Sequence, residues 1–208
     1  MTLATVRTTF QGILNRTDCT NAQADIFLNL GLMRVQRRLR IPTMERMLTA
    51  TASGSAEPSI ALPNDVIELM DVIPRADGAK PLERLSYRAL IQRPFSEGDQ
   101  PKAYARLANV LHFRPAIPDG GIVDVLYYGE FGPLNNDSDE NGLTRVAPDL
   151  FIYSALVFAG DHYTHDKRQE WAQTFEGLLA EMNDMAAQEA KTGGVQAVEP
   201  MYYDPGSY

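Results

Sequence analysis

The period of the hydrophobic pattern changes twice along the chain, and this change constrains the fold more than any other feature. Up to about residue 46 and again from about residue 147, apolar side chains recur three and four positions apart, as in amphipathic helices. Between these parts, short apolar alternations are broken by turn-forming residues, which is typical of strands. The sequence therefore predicts an α+β fold, in which N- and C-terminal helices form one bundle and carry an inserted small antiparallel β module.

This pattern divides the 208 residues into three parts. Residues 1–46 and 147–192 are predicted to form the helical bundle, 47–146 the β-rich insert, and 193–208 an extended C-terminal tail. Within the insert, strands are expected at about 47–52, 59–62, 66–73, 103–107, 110–113 and 122–128.

The predicted second helix, at about residues 21–40, is apolar on more than one face. A helix that is apolar on two sides is expected to be buried on two sides. Asp18 or Thr20 is its expected N-terminal cap, and Pro42 follows its end. Its apolar positions are Ile26, Phe27, Leu28, Leu30, Leu32, Met33, Val35 and Leu39.

Further helix boundaries are marked by capping residues and proline. Ser86 is the expected cap of a short helix inside the insert. Pro148 is suited to the first position of a helix, with Asp149 in its first turn. Asp166 is the expected cap of the last helix, and Gly193–Gly194 its expected end.

The last sixteen residues, GGVQAVEPMYYDPGSY, combine helix-breaking residues with apolar and aromatic ones. Pro200, Pro205 and three glycines exclude a long helix or a central strand. A segment that cannot fold alone but holds aromatic anchors is suited to docking on another protein. The predicted docking residues are Val198, Met201, Tyr202, Tyr203 and Tyr208.

Charge is distributed unevenly along the chain. Residues 1–50 hold seven arginines and three carboxylates, a net charge of +4, whereas the remainder holds 12 basic and 24 acidic residues, a net charge of −12. Such polarity favours head-to-tail or layered association. An acidic surface repels DNA phosphates, so tight sequence-independent DNA binding is not expected.

Four arginines crowd the end of the second predicted helix, where the helix dipole favours cations. Two interpretations remain open: a solvated helix end, or an anchor against an acidic partner surface, since arginine is enriched at interfaces. The four residues are Arg34, Arg37, Arg38 and Arg40.

Cysteine usage and hydropathy indicate where the protein is made. Cys19 is the single cysteine, so neither a disulfide nor a thiolate zinc site can form within one chain. The N-terminal residues lack the apolar run of a signal peptide. Leu150–Gly160 is the longest apolar stretch and is shorter than a membrane span. We expect synthesis in the cytoplasm and no membrane partner.

Two segments have residue types that bind metals. Asp137, Asp139 and Asn141 before Gly142 resemble the start of a calcium-binding loop, but Pro148 stands where the closing glutamate belongs. An acidic turn is the favoured interpretation, with a bound cation as the alternative. His162 and His165 are expected to lie in a turn between helices, with an intersubunit metal site left open. His112 stands apart, in a strand pattern.

No motif indicates catalysis. The sequence contains no G-x-S-x-G elbow, no phosphate-binding G-x-x-x-x-G-K-[ST] loop and no G-x-G-x-x-G. Asp149 and Glu130 are isolated acids, Cys19 lacks an electropositive setting, and Tyr127–Tyr128 lack the basic residues of a nucleic-acid site. We predict that the protein is not an enzyme and has no catalytic residue, no bound metal and no cofactor.

Several strings resemble one family, the head-to-tail adaptor (neck, or tail tubular) proteins of tailed bacteriophages. The resemblance extends from Leu3 to Phe175 and is carried by LATVRTTFQGILN, RVQRRLRIPTMERMLTAT, LPNDVIELMDV, PLERLSYRAL, VDVLYYGEFGPL and, most characteristically, PDLFIYSALVFAGDHYTHDKRQEWAQTF.

This resemblance implies a structural protein of the virion neck. It implies a ring of about twelve copies beneath the portal, with the tail, nozzle or stopper protein on its other face. It also implies that C-terminal segments reach onto the portal. From the charge of the chain we further expect its acidic remainder to line a channel through which DNA passes with weak contact, because like charges disfavour binding. Two alternatives remain: a stand-alone protein-binding module that uses the same tail, and a metal-dependent hydrolase built on His162 and His165.

Overall fold

A computed structural model describes residues 1–51, 59–76, 80–94, 100–118 and 120–192. Within these residues the chain forms six α-helices, a 3₁₀ turn and seven strands, which confirms the predicted α+β class. In chain order they are α1 Leu3–Leu14, α2 Asn21–Arg38, the 3₁₀ turn Pro42–Met44, β1 Glu45–Thr51, β2 Ser59–Ala61, β3 Val66–Pro74, β4 Glu83–Arg84, α3 Tyr87–Gln92, β5 Ala103–Leu107, β6 Val110–Arg114, β7 Ile122–Gly129, α4 Gly142–Val146, α5 Pro148–His162 and α6 Arg168–Thr192.

Helices from both ends of the chain pack around α5. This helix is apolar on nearly every face, so it can be covered only if neighbours surround it. It packs against α1, α2 and α6, and its Leu150, Phe151 and Leu156 are almost fully buried in the shared core. Helices distant in sequence therefore form one hydrophobic core, as the terminal helical patterns predict.

Most of the predicted helix starts are confirmed. Thr20, not Asp18, caps α2, and its side chain and that of Gln23 form a reciprocal capping box. Ser86 caps α3, and Pro148 occupies the first turn of α5. Asp166 is the predicted cap of the last helix, but α6 starts at Arg168, two residues later. Its expected stop, Gly193–Gly194, lies outside the described residues.

The strands form two sheets that face each other across a second core. One has the order β1-β7-β3 and the other β2-β6-β5-β4. Pairing is antiparallel except that β4 lies parallel to β5, which the prediction of an antiparallel module did not include. Alternate residues of β7 point inward, and Val123, Val125 and Tyr127 join residues of the other sheet in this core.

The end of the predicted insert packs with the helices. Phe131, Leu134 and Leu143 belong to the helical core. Gly142–Val146 forms α4, a helix that the sequence pattern did not reveal. The division into bundle, insert and tail remains a proposal, and this packing favours Gly129 as the last residue of the β module.

Contacts of two kinds, polar and apolar, join the β module to the helices. Arg40, just past α2, donates a hydrogen bond to Glu68 on β3 at 2.8 Å, and its guanidinium lies 5.6 Å from the centre of the Tyr128 ring. Ile67 and Tyr128 also pack against the helical core. The β module is therefore attached through polar and apolar contacts.

The outer face of α2 departs from the sequence prediction. Phe27, Leu28, Leu32 and Val35 are buried as expected, and Ala24 and Gly31 are buried with them. In contrast, Ile26 is 58%, Leu30 39% and Met33 55% exposed. The prediction of burial on two sides is wrong for the single subunit, because the described residues supply a neighbour to one side of α2 and leave the opposite side open.

Candidate interaction surfaces

Two of the four clustered arginines share one carboxylate of their own subunit. Arg38 binds both oxygens of Glu176 on α6 at 2.7 Å, and Arg34 reaches the same carboxylate at 3.3 Å. The Arg34 guanidinium also lies 4.5 Å from the centre of the Phe175 ring, a cation–π arrangement. The hydrogen bonds from Arg38 lower the pKa of Glu176. These contacts fasten α2 to α6.

We expect the contact between Arg38 and Glu176 to make the free energy of unfolding depend on pH in the acidic range. Because folding lowers the pKa of Glu176, its contribution is complete above the pKa of the unfolded chain, about 4.3, and is lost as pH falls through the folded value. The Glu176 side chain is 47% exposed, so solvent limits the contribution to at most about 1 kcal/mol. Urea unfolding of wild type and Glu176→Gln should differ at pH 6, and the difference should shrink as pH falls below about 4.3; a constant difference would contradict the assignment.

The other two arginines have different surroundings. Arg40 binds Glu68 and donates to the carbonyls of Gln36 and Leu39. Arg37 is exposed, and its Nε donates a hydrogen bond to the carbonyl of Met33 at 2.9 Å. Of the four arginines, Arg37 therefore has the charge that is most freely available at the surface. The prediction that this group contacts a partner now concerns chiefly Arg37.

The acidic segment is a structural turn that holds the start of α1. The carboxylate of Asp139 accepts the backbone N–H groups of Asn135 and Asn136 at 2.8 Å, which lowers its pKa. The backbone carbonyls of Asp137 and Asp139 accept N–H groups of Ala4 and Leu3. Free N–H groups at a helix start need acceptors, and this turn supplies two of them. The geometry supports the acidic-turn interpretation.

Arg7 joins this turn to α2. It donates two hydrogen bonds to the carboxylate of Asp25, at 2.7 and 3.0 Å, and one to Asp137 at 2.8 Å. Its side chain is 11% exposed. One buried guanidinium therefore connects three segments that are distant in sequence.

We expect Arg7→Met to destabilise the protein by about 2 kcal/mol. The change keeps the length of the side chain but removes three hydrogen bonds between charged groups. Arg145→Met is the matched control, because Arg145 is 69% exposed and its contact with Glu140 is long, at 3.4 Å. Urea unfolding should separate the two variants, and equal losses would contradict the role given to Arg7.

The histidines pack against aromatic rings. The centre of the His162 ring lies 5.5 Å from that of Phe27, and His165 lies 4.5 Å from Trp171. His165 also accepts the backbone N–H of Lys167 through Nδ1 at 3.1 Å. His112 packs edge-on against Tyr87. Within the described ranges, no group of three or more His, Cys, Asp or Glu is placed to hold a metal ion.

Cys19 and the tyrosine pair also have structural surroundings. Cys19 is buried, and this burial raises the pKa of its thiol, which disfavours the reactive thiolate. Tyr127 is buried between the sheets, whereas Tyr128 packs between the helical core and Arg40. The contacts of these residues fit packing roles.

The predicted docking tail lies outside the described residues, so the structure gives no position for Val198, Met201, Tyr202, Tyr203 or Tyr208. It begins directly after α6. The last described turns of α6 line an open groove with the 3₁₀ turn and α4. The groove is mainly apolar, and its lining includes Ile41, Pro42, Val146, Met182, Met185 and Glu189.

These surfaces define a class of protein. An α+β body with an uncovered apolar helix face and an apolar groove is typical of a protein that associates with other proteins. A comparison with models of protein families matches residues 1–198 to the SU10 adaptor protein family. The chain belongs to this family of phage head-to-tail adaptors. No curated protein matches the chain.

Family membership makes the chain a bacteriophage structural adaptor, which interacts with other head or tail proteins and is located in the virion. Four of the five predicted docking residues, Met201, Tyr202, Tyr203 and Tyr208, lie beyond the matched residues. Their role therefore depends on this chain's own sequence. Across the described part of the chain, no helix is long and apolar enough to cross a membrane.

Proposed function

We propose that this adaptor assembles as a ring of about twelve copies that joins the portal to the tail, nozzle or stopper protein. The observation that carries the proposal is the family match across residues 1–198. In such a joint the protein supplies binding surfaces, and we infer no chemical reaction. Many modest contacts repeated around a ring add through avidity, so each subunit needs only limited affinity.

We further propose that the tail after α6 binds the portal. Its aromatic residues can occupy pockets on another protein, and such anchors provide most of the affinity at interfaces. Arg37 remains a candidate interface residue, because its charge is exposed at the end of α2. Arg34, Arg38 and Arg40 already bind carboxylates of their own subunit, which makes them weaker candidates.

The ring is also proposed to line the DNA channel. The chain carries a net charge of −8, because the −12 of the residues after 50 is partly offset by the +4 of residues 1–50. A negatively charged wall repels phosphates, so DNA could pass with weak contact. The proposal requires acidic residues to face the channel, and their placement on the outer wall of the ring would contradict it.

Native mass spectrometry of the full chain mixed with purified portal tests the proposed assembly. We expect one dominant complex that contains the portal and about twelve adaptor copies. A mixture of portal with single adaptor copies would contradict ring assembly. If the adaptor bound a tail protein but not the portal under matched conditions, its proposed position would be wrong.

A further inference from the structure

We propose that the outer face of α2 in one copy packs into the groove beside α6 of the next copy. This inference rests on the proposed ring, and it assigns the contact between neighbouring subunits to two particular surfaces. The outer face consists of Ile26, Leu30, Met33 and Arg37. The groove is the one defined above, together with the adjoining outer face of α6.

The spacing of the four α2 residues places them on one line. An α-helix advances about 100° per residue, so positions separated by four, three and four residues fall within a narrow sector. Buried Leu28, Gly31 and Val35 lie in the opposite sector, against α5. The outer face therefore points directly away from the core of its own subunit.

The outer face of α2 is too apolar for a surface that remains exposed to solvent. Ile26 and Met33 are more than half exposed, and Leu30 is 39% exposed. Scattered single apolar residues are ordinary on surfaces, whereas a contiguous row marks an interaction site. At 1.5 Å per residue, the row from Ile26 to Arg37 is roughly 16 Å long, enough to form the centre of a subunit contact.

The groove beside α6 has the complementary features. Met185 is 58% and Val146 47% exposed, and Ile41 and Met182 extend the same apolar lining. Glu181 and Glu189 are exposed one turn before and one turn after Met185. An apolar centre with carboxylates at its ends matches an apolar row that ends in a guanidinium.

The partner that fills the groove is a second copy of the chain. This charge pattern and the separation of the two surfaces identify it. Arg37 ends the α2 face with an exposed positive charge and Glu189 lies at the groove with an exposed negative charge, so the two unlike surfaces attract each other. The α2 face and the groove share no residue, so the contact is heterologous, and heterologous contacts generate rings when the rotation closes. The same pair of surfaces can therefore repeat around the whole ring.

Charge reversal and apolar substitution test this contact in the full chain, with the fraction of chain in rings on the portal as the readout. Met33→Asp and Arg37→Glu should each reduce that fraction at least about tenfold. The double variant Arg37→Glu with Glu189→Arg should recover most of it, because the reversed pair again has opposite charges. Met33, Arg37 and Glu189 are all exposed, so circular dichroism and unfolding midpoints of these variants should stay close to wild type.

Ile91→Asp is the matched control, because Ile91 is 48% exposed on α3, on the other side of the four-stranded sheet from the β core. It should form rings as the wild type does. Wild-type behaviour of Met33→Asp and Arg37→Glu would overturn the inference and leave the proposed function standing. Loss without recovery in the double variant would overturn the pairing with the groove. Failure of the wild type itself to form rings would overturn both proposals.

Discussion

Gly31→Val is expected to lower the free energy of unfolding by about 3 kcal/mol. A Cβ built at Gly31 lies 2.5 Å from Oγ of Ser154 and 2.9 Å from the backbone N of Ala155. The serine side chain can rotate, but the backbone of α5 can move only if the two helices separate. Adding methyl groups to a tightly packed contact costs roughly 1–3 kcal/mol, and the rigid backbone places valine at the upper end.

Helix propensity acts in the opposite direction and is too weak to prevail. Replacing a glycine within a helix gains at most about 1 kcal/mol. Gly177→Val is the matched control, because Gly177 is exposed on α6 and a Cβ there meets nothing within 4 Å. Urea unfolding should show a large loss for Gly31→Val and a change below about 0.5 kcal/mol for Gly177→Val. Similar losses would mean that α2 and α5 are not in close contact.

Removal of residues 193–208 is the second change with a large expected effect. We expect the truncated chain to bind the portal at least about a hundredfold more weakly, because several anchors that each contribute about 2 kcal/mol would be lost. The unfolding midpoint should remain near that of wild type, since the cores described above lie within residues 1–192. Equilibrium binding to immobilised portal provides the measurement.

Point variants distinguish the anchors from the length of the tail. Tyr202→Ala with Tyr203→Ala should reproduce much of the loss, whereas Gln196→Ala with Ser207→Ala should bind as wild type. Unchanged affinity of the truncated chain would remove the tail from the portal contact. A large fall in the unfolding midpoint would instead indicate that the tail packs on its own subunit.

The sequence predicts the order of elements well because hydrophobic periodicity is a local signal. Strands 59–61, 66–74 and 122–129 and helices α2 and α5 occur close to their predicted positions. The outer face of α2 shows the limit of that signal. Ile26, Leu30 and Met33 have the pattern of a buried face, but periodicity identifies an apolar face without naming what covers it.

The charged contacts depend on tertiary structure and were harder to predict. One signal was available for Arg7, since it shares the spacing of Leu3, Phe10 and Leu14 and therefore lies on the buried face of α1. Its partners Asp25 and Asp137 come from distant segments. Nothing local marks Glu176 as the partner of Arg34 and Arg38, because ion pairs between helices depend on how those helices cross.

Electron cryomicroscopy of the intact virion neck tests the central claim most directly. We expect about twelve copies of this chain in a closed ring between the portal and the tail, with residues 193–208 of each copy lying against a portal subunit. A chain located elsewhere in the particle, or a ring whose terminal residues fold back over their own subunits, would contradict the account.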